Sequence, residues 1–236
     1  MFGWWFSVET EDLDNDGDMD LVLGNLGNNY KYQATIDAPF KVFSKDFNNS
    51  GSTDIVLSYP QGGHYYPVRG KQCSSQQLPE LKEKFKDYNS FAIADVEEVY
   101  SDLGLKDALE LNANTFSSYI LKNNKGYFNK IELPSYAQIS SINDILIDDF
   151  NQDGMKQVLV AGNLYTSEVE TTRNDASYGS LISFDKNFKN LKAHTPAESG
   201  LFIKGDCKKL GQIKIGKLNY LISAINDGVI SLHRIL

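Results

Sequence analysis

DLDNDGDMDLVLGN, residues 12–25, decides how this chain is read. Its first half is an acidic stretch turning on Gly17. Its second half, Leu21 to Leu23, is a short apolar run closed by Gly24 and Asn25, so a loop feeds directly into a strand. The stretch recurs. DFNNSGSTDIVL at 46–57 and DFNQDGMKQVLVAGN at 149–163 repeat the acidic start, the turn glycine and the Val/Leu/Ile run, and the strand-like segments FSVETE, FKVFSK and INDILID precede the three copies. The unit is strand, loop, strand, and self-similarity of this kind marks a repeat architecture.

Outward from these copies the chain keeps the same style. YILKNNKGYFNKIEL turns at Asn123 to Gly126, LISFDKNFKNLKAH turns near Asn187, and LISAINDGVISLHRI turns at Asn226 to Gly228, each as two strand-like runs around turn residues. One segment differs. Between Gln76 and Leu111, Leu78, Leu81 and Phe85 recur at helical spacing around Pro79, and Ser90 stands where a cap would open a stretch containing Ala94, Val96, Val99 and Tyr100. Gly104 breaks that stretch before KDALEL. The expectation is an all-β chain, one domain over 1–236, built of β-propeller blades of four-stranded antiparallel sheets with a small helical insertion at 76–111. A sandwich is the competing arrangement, and the repeats favour the propeller because its blades are the repeating unit. Strand groups give about three to four blades, fewer than or at the bottom of the usual range of about four to eight, so the chain reads as part of a larger propeller. The first blade reads as short, since only a small stretch separates Asn25 from Phe40.

Composition narrows the function. The 236 residues are 41% hydrophobic and 23% charged, ordinary globular usage that excludes disordered, collagenous and coiled-coil chains. Lys plus Arg is 23 against 31 for Asp plus Glu, a formal net charge of -8, which is the wrong sign for nucleic acid or an anionic membrane. No apolar run approaches the ~18 residues that span a bilayer. Met1 to Phe6 is too short for the apolar region of a secretory signal and has no basic residue ahead of it. Cys73 and Cys207 lie far apart in unlike contexts, and a disulfide between them is left open.

The acidic loops have the chemistry of calcium sites. Calcium is a hard cation held by about six to eight oxygens at roughly 2.3 to 2.6 Å, which a tight turn supplies when alternate residues project oxygen inward. In the first loop Asp12, Asp14, Asp16 and Asp20 stand at positions one, three, five and nine, Asp18 offers its carbonyl at position seven, and Gly17 makes the turn. The second loop uses Asp46, Asn48, Ser50 and Asp54 with the carbonyl of Ser52. The third uses Asp149, Asn151, Asp153 and Gln157 with the carbonyl of Met155. An EF-hand would need a glutamate at position twelve and flanking helices. Position twelve is Leu23, Leu57 or Val160, each in an exiting strand, so the hairpin form is expected, with Ca2+ as the cofactor.

These hairpins, together with the GWW start, LVLGNLG, YILKNNKGYFNKIELP and VLVAGNLY, resemble the FG-GAP or VCBS repeat proteins, calcium-loop β-propellers shared with integrin α chains. The similarity is greatest to the bacterial cartilage-acidic-protein-like group of the Bacteroidetes. The resemblance implies calcium at the positions named above, with Gln157 departing from the usual acidic ninth ligand. It implies a secreted protein: extracellular, on the cell surface or in the periplasm. It also implies further repeats before the GWW segment, so the expected partners include missing N-terminal propeller blades or, in their absence, self-association.

An enzyme reading finds little once calcium has its ligands. His64, His194 and His233 lie in separate turns or strands with no zinc-binding spacing, and no nucleophile elbow, P-loop or dinucleotide fingerprint occurs. No catalytic residue is assigned. The expectation is a non-catalytic calcium-binding repeat module for adhesion, binding protein or glycan ligands at the cell surface. The alternative is part of a secreted glycan-processing enzyme or a lectin-like carbohydrate-binding accessory domain. Trp4, Trp5, Tyr59, Tyr65 and Tyr66 are the aromatics that could stack on sugar rings, and the same residues serve equally as packing between strands.

Overall fold

The computed structural model describes residues 1–167 and 171–235, and the chain divides into two compact units. One comprises Trp4–Tyr30, Phe116–Ser167 and Arg173–Leu236. The other holds Met1–Gly3 and Lys31–Thr115 with a short later stretch. Among the described residues the structure is mostly β, in four antiparallel sheets of three or four strands.

Three of these sheets form the first unit. Strands β1 (Ser7–Glu11), β2 (Asp20–Gly24), β7 (Tyr119–Asn124) and β8 (Tyr127–Glu132) pair in that order. Strands β9 (Asp144–Asp148), β10 (Gln157–Ala161), β11 (Ser180–Ser183) and β12 (Lys192–His194) form a meander. Strands β13 (Cys207–Ile215), β14 (Leu218–Ile225) and β15 (Ser231–Arg234) form the third sheet. The first sheet is not short. Its third and fourth strands come from 119–132, after the chain has left at Gly24, built the second unit and returned. Nothing local in the sequence shows that pairing.

Strand alternation explains how the three sheets stack. QVLVA in β10 is buried at all five positions, the pattern of a strand covered on both faces. Ile145, Val158, Val160 and Ile182 pack with Val22 and Ile120 of the first sheet. Their alternates Leu146, Leu159, Ala161 and Leu181 pack with Cys207, Leu210 and Leu221 of the third. Each such side chain contributes about 1.5–3 kcal/mol when fully buried. The outer faces are a different matter. On the third sheet Ile213, Ile215, Leu218 and Leu232 are exposed, and on the first Val8 and Phe128 are exposed.

Repeated Gly-Asn pairs tie the sheets together. The Asn25 carbonyl accepts from the Ile142 amide at 3.0 Å, just before β9. Asn163, at the equivalent place after β10, donates to the Gly205 carbonyl at 2.8 Å, just before β13. Gly24 and Gly162 are required there, because a Cβ would lie 2.4 Å from the Ile142 carbonyl oxygen and 2.3 Å from that of Ser141, respectively.

The second unit has one sheet, in the order β5 (His64–Pro67), β4 (Asp54–Gln61), β3 (Phe40–Lys45) and β6 (Leu109–Ala113). Helices α1 (Lys71–Gln77), α2 (Leu81–Lys84), α3 (Tyr88–Ile93) and α4 (Val96–Tyr100) cover it, and two 3-10 turns follow before β6. Leu78, Leu81, Phe85, Phe91, Val96 and Val99 pack with Phe43 and Val56 of the sheet. Ser90 does not cap a helix. Asp87 caps α3, accepting from the Ser90 amide at 2.8 Å, and Asp95 caps α4 in a reciprocal box with Glu98. A carboxylate one residue ahead of each short helix satisfies an amide that a serine inside the helix cannot reach. A fifth short helix, α5 (Pro196–Ser199), lies between β12 and β13. Cys73 and Cys207 carry thiols, with no disulfide between them, and burial raises the Cys207 thiol to about 11. No helix among the described residues is long and apolar enough to cross a membrane.

Candidate metal centre

The three acidic loops connect β1 to β2, β3 to β4 and β9 to β10. They share one hydrogen-bond scheme. The position-one carboxylate accepts from the amides of positions five and six: Asp12 from Asp16 and Gly17 at 3.0 Å each, Asp46 from Ser50 at 2.9 Å and Gly51 at 2.8 Å, and Asp149 from Asp153 at 3.0 Å and Gly154 at 2.8 Å. The position-nine side chain accepts from the amide of position two: Asp20 from Leu13 at 3.1 Å, Asp54 from Phe47 at 3.1 Å and Gln157 from Phe150 at 2.8 Å. Position six is Gly17, Gly51 or Gly154, at φ +93°, +86° and +88°, a backbone conformation that costs a side-chain-bearing residue energy and glycine very little.

Identical frames hold different chemistry. In the first loop Asp12, Asp14 and Asp20 each offer an oxygen, and the three lie within 4.8 Å of one another. Two oxygens on one calcium ion are at most about 5 Å apart, so this set fits a hard cation. Asp14 and Asp20 are buried. The Asp20 carboxyl is pushed above the ordinary carboxylate range, chiefly by burial and further by the Asp14 and Asp16 charges, against hydrogen bonds from the Asn123 and Leu13 amides. Residues remote in sequence complete the loop. The Asn123 amide donates to Asp20 at 2.8 Å and the Lys125 amide to Asp18 at 2.8 Å. The Lys122 ammonium bonds Asp14 and lies 3.8 Å from Asp16. That contact raises the lysine above its usual value. The carboxylate of Asp18 is thus drawn to the β7–β8 turn, and Asp16 stands at the exposed side of the cluster.

The second loop brings two carboxylates rather than three. Asp54 Oδ1 accepts from Gln77 Nε2 at 3.0 Å, and Arg69 in turn donates to Gln77 Oε1 at 2.6 Å, so α1 braces the ninth position. Asn48 and Ser50 oxygens accept amides of their own loop at 3.0 Å and 3.4 Å. In the third loop Asp149, Asn151 and Asp153 keep their places, but Gln157 turns its amide nitrogen inward, 3.0 Å from Asn151 Oδ1 and 2.7 Å from the Met155 carbonyl oxygen. Those two oxygens are the position-three and position-seven donors that a cation would need.

The histidines lie apart. His64 Nδ1 is 3.0 Å from Asp95 Oδ2 in the second unit, and His194 Nε2 is 2.8 Å from Ser183 Oγ across β11 and β12. Trp4 and Trp5 are half-buried against Phe116 and Tyr119, with ring centroids 6.5 and 6.4 Å apart. Tyr59 and Tyr65 line an open cleft of about 660 Å³ in the second unit with Lys31, Tyr32, Asp37 and Gln61, where Tyr32 stacks on Tyr59 at 4.5 Å. Tyr66 lies 6.2 Å from Tyr59. A scan against protein-family models and a search of curated proteins each find no match to this chain.

Proposed function

We propose that this chain is a non-catalytic calcium-binding repeat module of the β-propeller kind, presenting its surfaces to protein or glycan ligands outside the cell. The observation that carries the reading is the convergence of Asp12, Asp14 and Asp20 oxygens within 4.8 Å at one hairpin. Three buried or half-buried carboxylates repel one another, and the Lys122 ammonium bonds only Asp14 of the three, which favours a further cation among them. The ion's role is structural. It would hold the β1–β2 hairpin through Asp12, Asp14 and Asp20, while these residues already fix the turn by accepting its amides. Two four-stranded antiparallel sheets and a three-stranded one, stacked so that the middle one is covered on both faces, support the blade reading. Calorimetric titration tests the calcium assignment: saturable binding that Asp14→Ala reduces by one site is expected, and no binding at millimolar calcium overturns it.

The glycan reading rests on the tyrosine-lined cleft of the second unit. A glycan array on the whole chain decides between glycan and protein ligands, with Tyr59→Ala as the control. Hydrolysis of a bound glycan would instead favour the processing-enzyme alternative. Self-association is the second expected property. It is favoured by the open apolar faces on the two outer sheets, since exposed contiguous apolar surface marks an interaction site. Light scattering of a monomer at all concentrations would remove it.

A further inference from the structure

We infer that the third acidic loop is a cation-free copy, in which the carboxamide nitrogen of Gln157 takes the place that an ion would hold. This goes beyond the calcium assignment of the first loop, and it opposes the expectation that the third loop is also a calcium site. The orientation of the amide follows from its partners. Gln157 Oε1 faces the Phe150 N–H at 2.8 Å, while Nε2 faces two acceptors, Asn151 Oδ1 at 3.0 Å and the Met155 carbonyl at 2.7 Å. Turning the amide over would set NH2 against a donor and its oxygen against two oxygens, losing all three bonds.

Both amide hydrogens are therefore spent on the two oxygens that should ligate. A carboxamide nitrogen carries no lone pair for a cation, and its hydrogens present partial positive charge where the ion's charge would be. The two remaining ligands are occupied too, Asp149 by the Asp153 and Gly154 amides. Asp153 accepts from the Met155 amide and from Asn151 Nδ2, both at 2.8 Å. Gln157 itself is 5% exposed. The ninth position of the first loop is a shorter, charged side chain: Asp20 keeps the bond to the position-two amide and has no donor to turn inward.

The test is calcium titration and thermal melting of the full chain, using Gln157→Glu, which keeps the side-chain length and replaces the inward NH2 by oxygen. Gln157→Glu is expected to raise the calcium stoichiometry by one and to melt lower in chelator, with calcium restoring the loss. Asp153→Asn, in the unaltered Gln157 background, is expected to leave stoichiometry unchanged. Asp149→Asn serves as a second variant for the same comparison. A fall of one site in either variant overturns the inference. So does a Gln157→Glu protein whose calcium-dependent rise in melting temperature is no larger than that of the unaltered chain. Failure of the first loop to bind is distinct: it appears as an unaltered chain with no calcium binding, and the calcium-dependent melting of Gln157→Glu still decides the third loop.

Discussion

The first and third loops of the larger unit have the same length, the same glycine turn and the same amide bonds at positions one and nine, yet they solve their electrostatics in opposite ways. The first gathers carboxylates and borrows the Lys122 ammonium from β7. The third spends two carboxylates and closes on a neutral amide of its own. The lesson is that backbone shape in such a hairpin is carried by main-chain donors, and on the proposed reading it is the atom at the ninth position that decides whether an ion fits.

Removing the ninth side chain breaks the comparison most strongly. Asp20→Ala strips the acceptor from the buried Leu13 amide and the half-buried Asn123 amide, so a loss of about 2–6 kcal/mol is expected at roughly 1–3 kcal/mol per orphaned group. Gln157→Ala orphans the Phe150 amide, and about 1–3 kcal/mol is expected. Urea denaturation with and without calcium separates them further. The cost of Asp20→Ala should grow in calcium and that of Gln157→Ala should not. Equal growth for both would erase the distinction.

Chelation comes next. A site at a hundredfold excess of calcium over its Kd contributes about 2.7 kcal/mol, or roughly 5–10 °C of melting temperature in a chain of this size. Asp14→Ala should abolish the first loop's share of that shift. Persistence of the full shift in Asp14→Ala would move the ion elsewhere.

Lys122→Met sharpens the same contrast. The ammonium is a resident competitor for the carboxylates, and its loss should tighten calcium binding about three- to tenfold, at about 1.4 kcal/mol per tenfold, while lowering stability in chelator. Because Lys122 is raised in the folded state, its own contribution is present below the usual lysine value and is lost only as pH climbs through the folded value. Weaker calcium binding in Lys122→Met would make it a positioning group instead.

The smallest expected effect is that of pH. The Asp20 carboxyl titrates above 3.8 when folded, so the folded state holds the extra proton between that value and its raised one. Without an ion, the ionised form of Asp20 is therefore less favourable at neutral pH than its protonated form would be, and that cost fades as pH falls through the raised value. Calcium must displace the proton, so its affinity should fall over the same acid window. Titrations at neutral and mildly acid pH measure this, and a pH-independent affinity would remove Asp20 from the ligand set.

Much of this was legible in order. The turn glycines, the exiting Leu-Val-Leu and Val-Leu-Val runs and the hairpin at Asn123 to Gly126 are local patterns. The structure has φ above zero at both Lys125 and Gly126, as a tight hairpin between β7 and β8 requires. Illegible were the partners that topology supplies: Lys122, Asn123 and Lys125 at the first loop, and Gln77 at the second. Gln157 shows the subtler limit. Its departure from an acidic residue was visible, but the direction of its nitrogen depends on three partners brought together only by the folded turn. The caps were missed for a simpler reason, since Asp87 and Asp95 are as plausible in a solvated loop as at a helix start.

One consequence concerns time rather than energy. Asp20 meets the Asn123 amide across 103 residues of chain, because the whole of Lys31–Thr115 lies between β2 and β7. Closing a flexible loop of that length costs about 4 kcal/mol by the logarithmic law, and contacts that demand it form late. Prior collapse of the intervening stretch shortens the effective loop and sets an order of events. The first acidic hairpin is then expected to be completed after the folding barrier has been crossed. An ion held there acts on the exit from the native state, so calcium should slow unfolding while leaving the refolding rate nearly unchanged.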